Sequence, residues 1–236
     1  MPLPWIGVLT TPRRPQYLLE TLAALDAAGA ADVEAVRFVF VDGPSADLQV
    51  RVPHGWNVSS LTFGDPARGT RPSLWTILHR AAIAEVPWLL HFEDDIRLAR
   101  NAVHAMAARA VPAEFGFLSF MKMCPWVPST PGIHWVGAER PFWGCQALKI
   151  PARALARFRS DQTEPRGQYS QACDNWIGEQ LRGAILVPSI VRHIGAETAI
   201  PAQRARNMGL TGARDGHRAG LDYVGDSVDA LELLTG

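Results

Sequence analysis

Three neighbouring acids, one distant aspartate and one histidine are the residues of this chain best suited to chemistry. Phe92-Glu93-Asp94-Asp95-Ile96 follows directly on an apolar run at 88–92. Side chains alternate along an extended chain, so Glu93 and Asp95 are expected on one side and Asp94 on the other. Two carboxylates on the same side repel unless a cation neutralises them. Mg²⁺ or Mn²⁺ is the natural neutraliser, with diphosphate oxygens as further ligands. The competing reading is a solvated acidic turn ahead of a helix near Asn101, but a position straight after a buried strand favours the ion. His193, in Arg192-His193-Ile194-Gly195, sits at a strand exit and offers an imidazole to the same ion. Taken alone, such a histidine is more often a satisfied structural residue; beside the acids the two readings balance. Asp174, in Cys173-Asp174-Asn175-Trp176, either caps a helix or takes a proton from an acceptor hydroxyl. A carboxylate has enough lone pairs for both.

The elements that must position these groups alternate in type. Short apolar runs at 5–10, 36–41, 56–63 and 88–92 read as strands, and 17–28 and 73–84 read as helices. Leu18, Leu22 and Leu25 share one face of the first helix, Gly29 closes it, and Ser73 is the expected N-cap of the second. Further on, a helix is expected after Asn101, strands at 117–120, 142–150 and 185–191, and helices from Pro151, at 174–181 and at 227–234. Residues 125–140, rich in Pro, Gly and Trp, read as a long packed loop. This alternation argues for βαβ units around a mainly parallel sheet, in which ligands bind outside the carboxyl ends of the strands. Three such ends carry polar groups here: Thr10-Thr11, Asp42 and the acids 93–95.

The 236 residues suffice for one α/β domain, and 47% hydrophobic content suits a full core. A formal net charge of zero provides no global attraction to nucleic acid or anionic membrane. No apolar run approaches the roughly 20 residues of a membrane span. Met1 to Ile6 holds no basic stretch followed by an apolar run, so no signal peptide is expected, and three cysteines without metal-binding spacing suit a reduced, cytoplasmic setting.

Six segments in order resemble the GT-A glycosyltransferases. Trp5-Ile6-Gly7-Val8-Leu9-Thr10-Thr11-Pro12-Arg13-Arg14 is similar to their opening strand and nucleotide-contacting loop. Val39-Phe40-Val41-Asp42-Gly43 resembles the second strand, whose aspartate contacts the base, and Leu89 to Asp95 resembles the metal-binding DxD motif with glutamate first. Phe142-Trp143-Gly144-Cys145-Gln146-Ala147 is similar to the acceptor-side strand, Asp174-Asn175-Trp176-Ile177 to the helix start bearing the base of inverting members, and His193-Ile194-Gly195 to the C-terminal metal-binding histidine.

The resemblance implies a GT-A, Rossmann-like α/β catalytic domain at 1–195, with a nucleotide-binding half at 1–100 and an acceptor half at 101–195. Residues 196–236 lie outside the resemblance and are expected to form an extension on or near the site. It implies a donor nucleotide-sugar, UDP by default, held by Thr10, Thr11, Arg13, Asp42 and Asp94, with Arg68 and Arg71 reaching the diphosphate or sugar. Mn²⁺ or Mg²⁺ is expected on Glu93, Asp95 and His193, and Asp174 is the expected base of an inverting transfer. Because glutamate opens the motif, Asp95 is the safer ligand.

The acceptor stays open between a saccharide, a small molecule and a hydroxylated nucleobase in DNA. A basic stretch with Arg204, Arg206, Arg214, His217 and Arg218 is the feature that admits DNA. Trp126, Trp135 and Trp143 are candidates for stacking on a sugar or base, against ordinary core packing. Two rival functions remain. A nucleotidyltransferase is disfavoured because residues 10–14 hold neither glycine nor lysine. A non-catalytic nucleotide-sugar-binding module is separated from an enzyme by turnover.

Overall fold

The computed structural model describes residues 1–11, 15–43, 51–61, 69–136, 142–160, 173–194 and 222–235. The strands are β1 (Trp5–Thr10), β2 (Val36–Val41), β3 (Trp56–Ser60), β4 (Trp88–Glu93), β5 (Ile96–Leu98), β6 (Phe117–Ser119), β7 (Gly132–Val136), β8 (Ala147–Pro151), β9 (Gly183–Val187) and β10 (Val191–His193). The helices are α1 (Pro15–Ala27), α2 (Thr70–Ile83), α3 (Ala102–Ala108), α4 (Ala152–Leu155), α5 (Cys173–Gln180) and α6 (Ala230–Thr235).

Eight strands form one sheet in the order β3-β2-β1-β4-β8-β6-β9-β7, and β5 pairs with β10 in a separate ribbon. The β3-β2-β1-β4 half is wholly parallel. Beyond β4 the sheet is mixed: β8 runs antiparallel to β4 and β6, β9 parallel to β6, and β7 antiparallel to β9. Thus the carboxyl ends of β1, β2 and β4 lie side by side, which is where the polar strand ends were expected.

Alternation along the strands builds two cores. Ile6, Val8, Leu90 and Phe92 face Leu18, Leu22 and Leu25 of α1 together with Val103 and Met106 of α3. Leu9, Phe40, Leu89, Leu148 and Ile150 face Leu74, Ile77 and Leu78 of α2, with α4 and α5. Gly7 is required in β1, since a Cβ there would lie 2.6 Å from the Phe40 ring. That ring stacks on Phe38 at 5.2 Å.

Three local expectations are corrected, and one strand is new. Helix α2 begins at Thr70 with Gly69 as N-cap, and Ser73 lies buried inside the helix. The expected loop at 125–140 contains β7, an edge strand of sequence Gly-Ile-His-Trp-Val whose glycine, histidine and preceding proline break any apolar pattern. The single strand expected at 185–191 is two, because Pro188 has no N–H for the ladder. Residues 96–98 pair as β5, a strand too short for its alternation to register.

His91 is fully buried in β4, its Nδ1 has no hydrogen-bond partner, and burial pushes its pKa from 6.5 down to about 4. On acidification the unfolded chain therefore gains the proton first. Stability is complete above about 6.5 and is lost as pH falls toward 4. His91→Leu is expected to remove on the order of 2 kcal/mol of the wild type's loss between pH 7 and 5. Denaturant unfolding of both proteins at the two pH values measures it; parallel pH dependence would contradict the assignment.

Candidate functional site

The site forms where the chain leaves β4. Glu93 is the last residue of that strand, and Asp94 and Asp95 make the bend into β5. Thr21 of α1 pins this bend from below: its Oγ1 donates to the Asp94 carbonyl at 2.8 Å and accepts from the Ile96 N–H at 3.1 Å. The three acids then diverge. Asp94 Oδ2 accepts from Thr10 Oγ1 at 2.5 Å, tying the ends of β1 and β4 together. Asp95, buried, turns toward β10, where its Oδ2 lies 3.0 Å from His193 Nε2. The β5–β10 register sets that meeting, with His193 opposite Ile96 and the Ile194 N–H donating to the Asp95 carbonyl at 2.8 Å. Glu93 meets Gln146: Oε2 accepts from Gln146 Nε2 at 3.1 Å, and the Cys173 thiol lies 3.9 Å from Oε1.

Burial first, and then the charge of Asp95, push Glu93 up to about 8, and Asp174 and Asp94 add to the rise while His193 opposes it. Glu93 is therefore largely protonated at neutral pH. This lessens the repulsion that three adjacent carboxylates would otherwise suffer.

Asp174 lies in the first turn of α5. Its Oδ1 accepts from the Asn175 N–H at 3.0 Å and its Oδ2 from the Gly144 N–H at 3.4 Å. Desolvation raises its pKa against these hydrogen bonds. Gly144 has a φ of +123°, a conformation L side chains rarely adopt, and a Cβ there would meet the Met121 carbonyl at 3.1 Å. Glycine is what lets that N–H face the carboxylate.

Asp42 is buried at the end of β2, where its Oδ2 accepts from the Gly69 N–H at 2.7 Å. It thus fixes the entry to α2, whose first turn carries Arg71. Thr10 is buried, and its Oγ1 also reaches the Thr11 carbonyl at 3.3 Å. Arg13, Arg68 and the basic residues at 204–218 lie outside the described residues. Trp126 meets Trp143 edge-on at 4.7 Å, whereas Trp135 stands apart on β7, 54% exposed beneath the Arg182 guanidinium. The described end of the chain packs beside this region: Asp222 pairs with buried Lys122 at 2.6 Å, and Asp226 with Arg192 at 3.5 Å.

The structure therefore joins Asp95 to His193, Asp94 to Thr10, and Glu93 to Gln146. Gln146 and Thr21 were not singled out in the sequence. Gln146 stood inside a quoted motif, but nothing local marks a glutamine as a carboxylate's partner across two strands. Among the described residues, no three His, Cys, Asp or Glu side chains converge to hold a metal ion unaided. No described helix is long and apolar enough to cross a membrane.

No family model matches the chain, and no curated protein matches it in sequence. Solved structures do. Galactosyltransferase LgtC in complex with donor and acceptor sugar analogues is 12% identical, over 88% of this chain and 95% of that one, with a TM-score of 0.53. An active-site mutant of LgtC is 13% identical over the same shares, with a TM-score of 0.54. S. aureus TarS in complex with UDP-GlcNAc is 15% identical over 90% of this chain and 66% of that one, with a TM-score of 0.56. The fold is that of the GT-A glycosyltransferases.

Proposed function

We propose that the chain is a glycosyltransferase moving a sugar from a nucleotide-sugar, UDP-linked in the first instance, to a hydroxyl of a saccharide or small-molecule acceptor. The observation that carries this reading is the acid–histidine group at the joined ends of β1 and β4, with a desolvated aspartate facing it from α5. Structures of the same fold hold UDP-GlcNAc or donor and acceptor sugar analogues.

Asp95 and His193 are the residues that would hold a divalent ion. Glu93, the third expected ligand, is turned to Gln146, and two protein donors leave the remaining positions of an ion to substrate phosphate oxygens. A carboxylate with an imidazole favours Mn²⁺ over the strictly oxygen-seeking Mg²⁺. When bound, the ion neutralises charge on the departing nucleoside diphosphate. Asp94 with Thr10, Asp42 with Gly69, and Arg71 border the donor's path.

Asp174 is the base. The acceptor oxygen attacks the anomeric carbon, its proton passes to an Asp174 carboxylate oxygen, and the carbon–oxygen bond to the diphosphate breaks with its electron pair on the leaving group. Direct displacement inverts the anomeric centre. Desolvation makes Asp174 more basic than an exposed aspartate, which suits that role.

Calorimetric titration of UDP and other nucleoside diphosphates, with and without Mn²⁺, followed by turnover with a donor panel, tests the reading. Mn²⁺-dependent binding of one nucleotide and transfer from its sugar conjugate are expected. No nucleotide binding under any condition would sink it, and binding without turnover would leave a non-catalytic module.

A further inference from the structure

Gln146 is the residue of this site with an unspent group. It immediately precedes β8, and its carbonyl accepts from the Glu93 N–H at 3.2 Å while its side-chain Nε2 donates to Glu93 Oε2 at 3.1 Å. The other side-chain atom, Oε1, is buried and has no hydrogen-bond partner. Nine in ten buried polar atoms find a partner, and an acceptor left empty costs about 1–3 kcal/mol. Turning the amide over does not resolve this, because the NH₂, with two hydrogens to place, would then face the empty side.

Location says what fills the vacancy. Gln146 stands between the two halves of the proposed chemistry. Through Glu93 it joins the acids at the end of β4. On its other side, a Cβ on Gly144 would lie 3.9 Å from Oε1, and the Gly144 N–H is the one that holds Asp174. On the glycosyltransferase reading the transferred sugar lies between the diphosphate and the base, and Gln146 is the side chain that neighbours both the acids and the turn holding that base. Two more polar atoms at the same end, Asn175 Oδ1 and Trp126 Nε1, are likewise buried without a partner. Acceptors and a donor left open together suit a polyhydroxylated ring, which offers both kinds of group.

We propose that Gln146 Oε1 accepts a hydrogen bond from one hydroxyl of the transferred sugar and thereby sets which sugar the enzyme takes. This rests on the glycosyltransferase reading and adds to it a specificity-determining residue. A site that hydrogen-bonds a substrate hydroxyl rejects analogues lacking it, because its own buried group is then left unpaired.

The test titrates UDP, UDP-glucose, UDP-galactose, UDP-N-acetylglucosamine and monodeoxy analogues of the preferred conjugate, with Mn²⁺, into wild type and Gln146→Met. Methionine keeps the length of the side chain and lacks the oxygen; it also gives up the Nε2 bond to Glu93, a loss that UDP and its sugar conjugates would report equally. In the wild type, removing one hydroxyl is expected to weaken binding about tenfold. In Gln146→Met that penalty disappears, and UDP itself binds within about twofold of wild type. Equal losses for UDP and its sugar conjugates, or discrimination kept by the variant, would overturn the inference, since a merely structural glutamine acts in that way. Should Gln146→Met lack a cooperative unfolding transition, Gln146→Asn, which withdraws the oxygen by one methylene, is put through the same titrations. A wild type that binds UDP but distinguishes no hydroxyl overturns this inference alone; one that binds no nucleotide overturns it together with the functional reading.

Discussion

Replacing Asp174 with asparagine is expected to lower sugar transfer about 1,000-fold, within the range that general-base catalysis commonly contributes, while UDP binding stays nearly intact. Asparagine matches aspartate in size, so the packing of the α5 first turn survives. Its one oxygen can still accept from the Asn175 N–H, the shorter of the two backbone contacts at 3.0 Å against 3.4 Å from Gly144. What it cannot do is accept a proton from an attacking hydroxyl. Its amide is not basic at any working pH, whereas burial raises the affinity of Asp174 for a proton. Steady-state turnover with the preferred donor, set beside calorimetric titration of UDP, separates the two effects. If UDP binding collapses with turnover, Asp174 belongs to the donor site rather than to the proton transfer. If turnover persists, the base lies elsewhere.

Asp95→Ala is expected to weaken Mn²⁺-dependent UDP binding by at least ~100-fold, the upper end of what removing a mere supporting partner of a metal ligand costs. The reason is geometric as well as electrostatic. Asp95 is buried, and its Oδ2 stands 3.0 Å from His193 Nε2, so alanine leaves the imidazole as a single neutral donor. Glu93 is poorly placed to substitute. One of its oxygens is engaged by Gln146, and burial, which alanine at 95 leaves in place, still disfavours its charged form. UDP binding measured without metal is expected to differ little between the two proteins. Retention of full Mn²⁺ dependence in the variant would move the ion away from Asp95.

Burial decides how the acidic triplet behaves, and burial is a property of the fold. Read along the chain, Glu93 and Asp95 are equivalent carboxylates on one side of a strand. In the structure they separate in function. Glu93 ends a strand beside β8, against an amide and a thiol, whereas Asp95 sits past the bend, against an imidazole. The spacing of the acids along the chain is unchanged by folding; the neighbours of Glu93 come from 53 and 80 positions further along, and that of Asp95 from 98.

Legible along the chain were the alternation of elements, the apolar face of α1, the acids at the close of β4, and Asp174 at a helix start. Each of these is written in residues close together in the chain, as periodicity, proline and glycine placement, or a polar group ending an apolar run. Only the tertiary structure decided that β5 and β10 pair and so bring His193 to Asp95, that β8 runs antiparallel beside β4 and so brings Gln146 to Glu93, and that Gly144 turns its N–H to Asp174. The two ribbon strands are three residues each, too short to declare themselves by pattern. Their pairing is stabilised by hydrogen bonds between segments nearly a hundred residues apart, and such contacts exist only once the sheet has placed both segments at the same end.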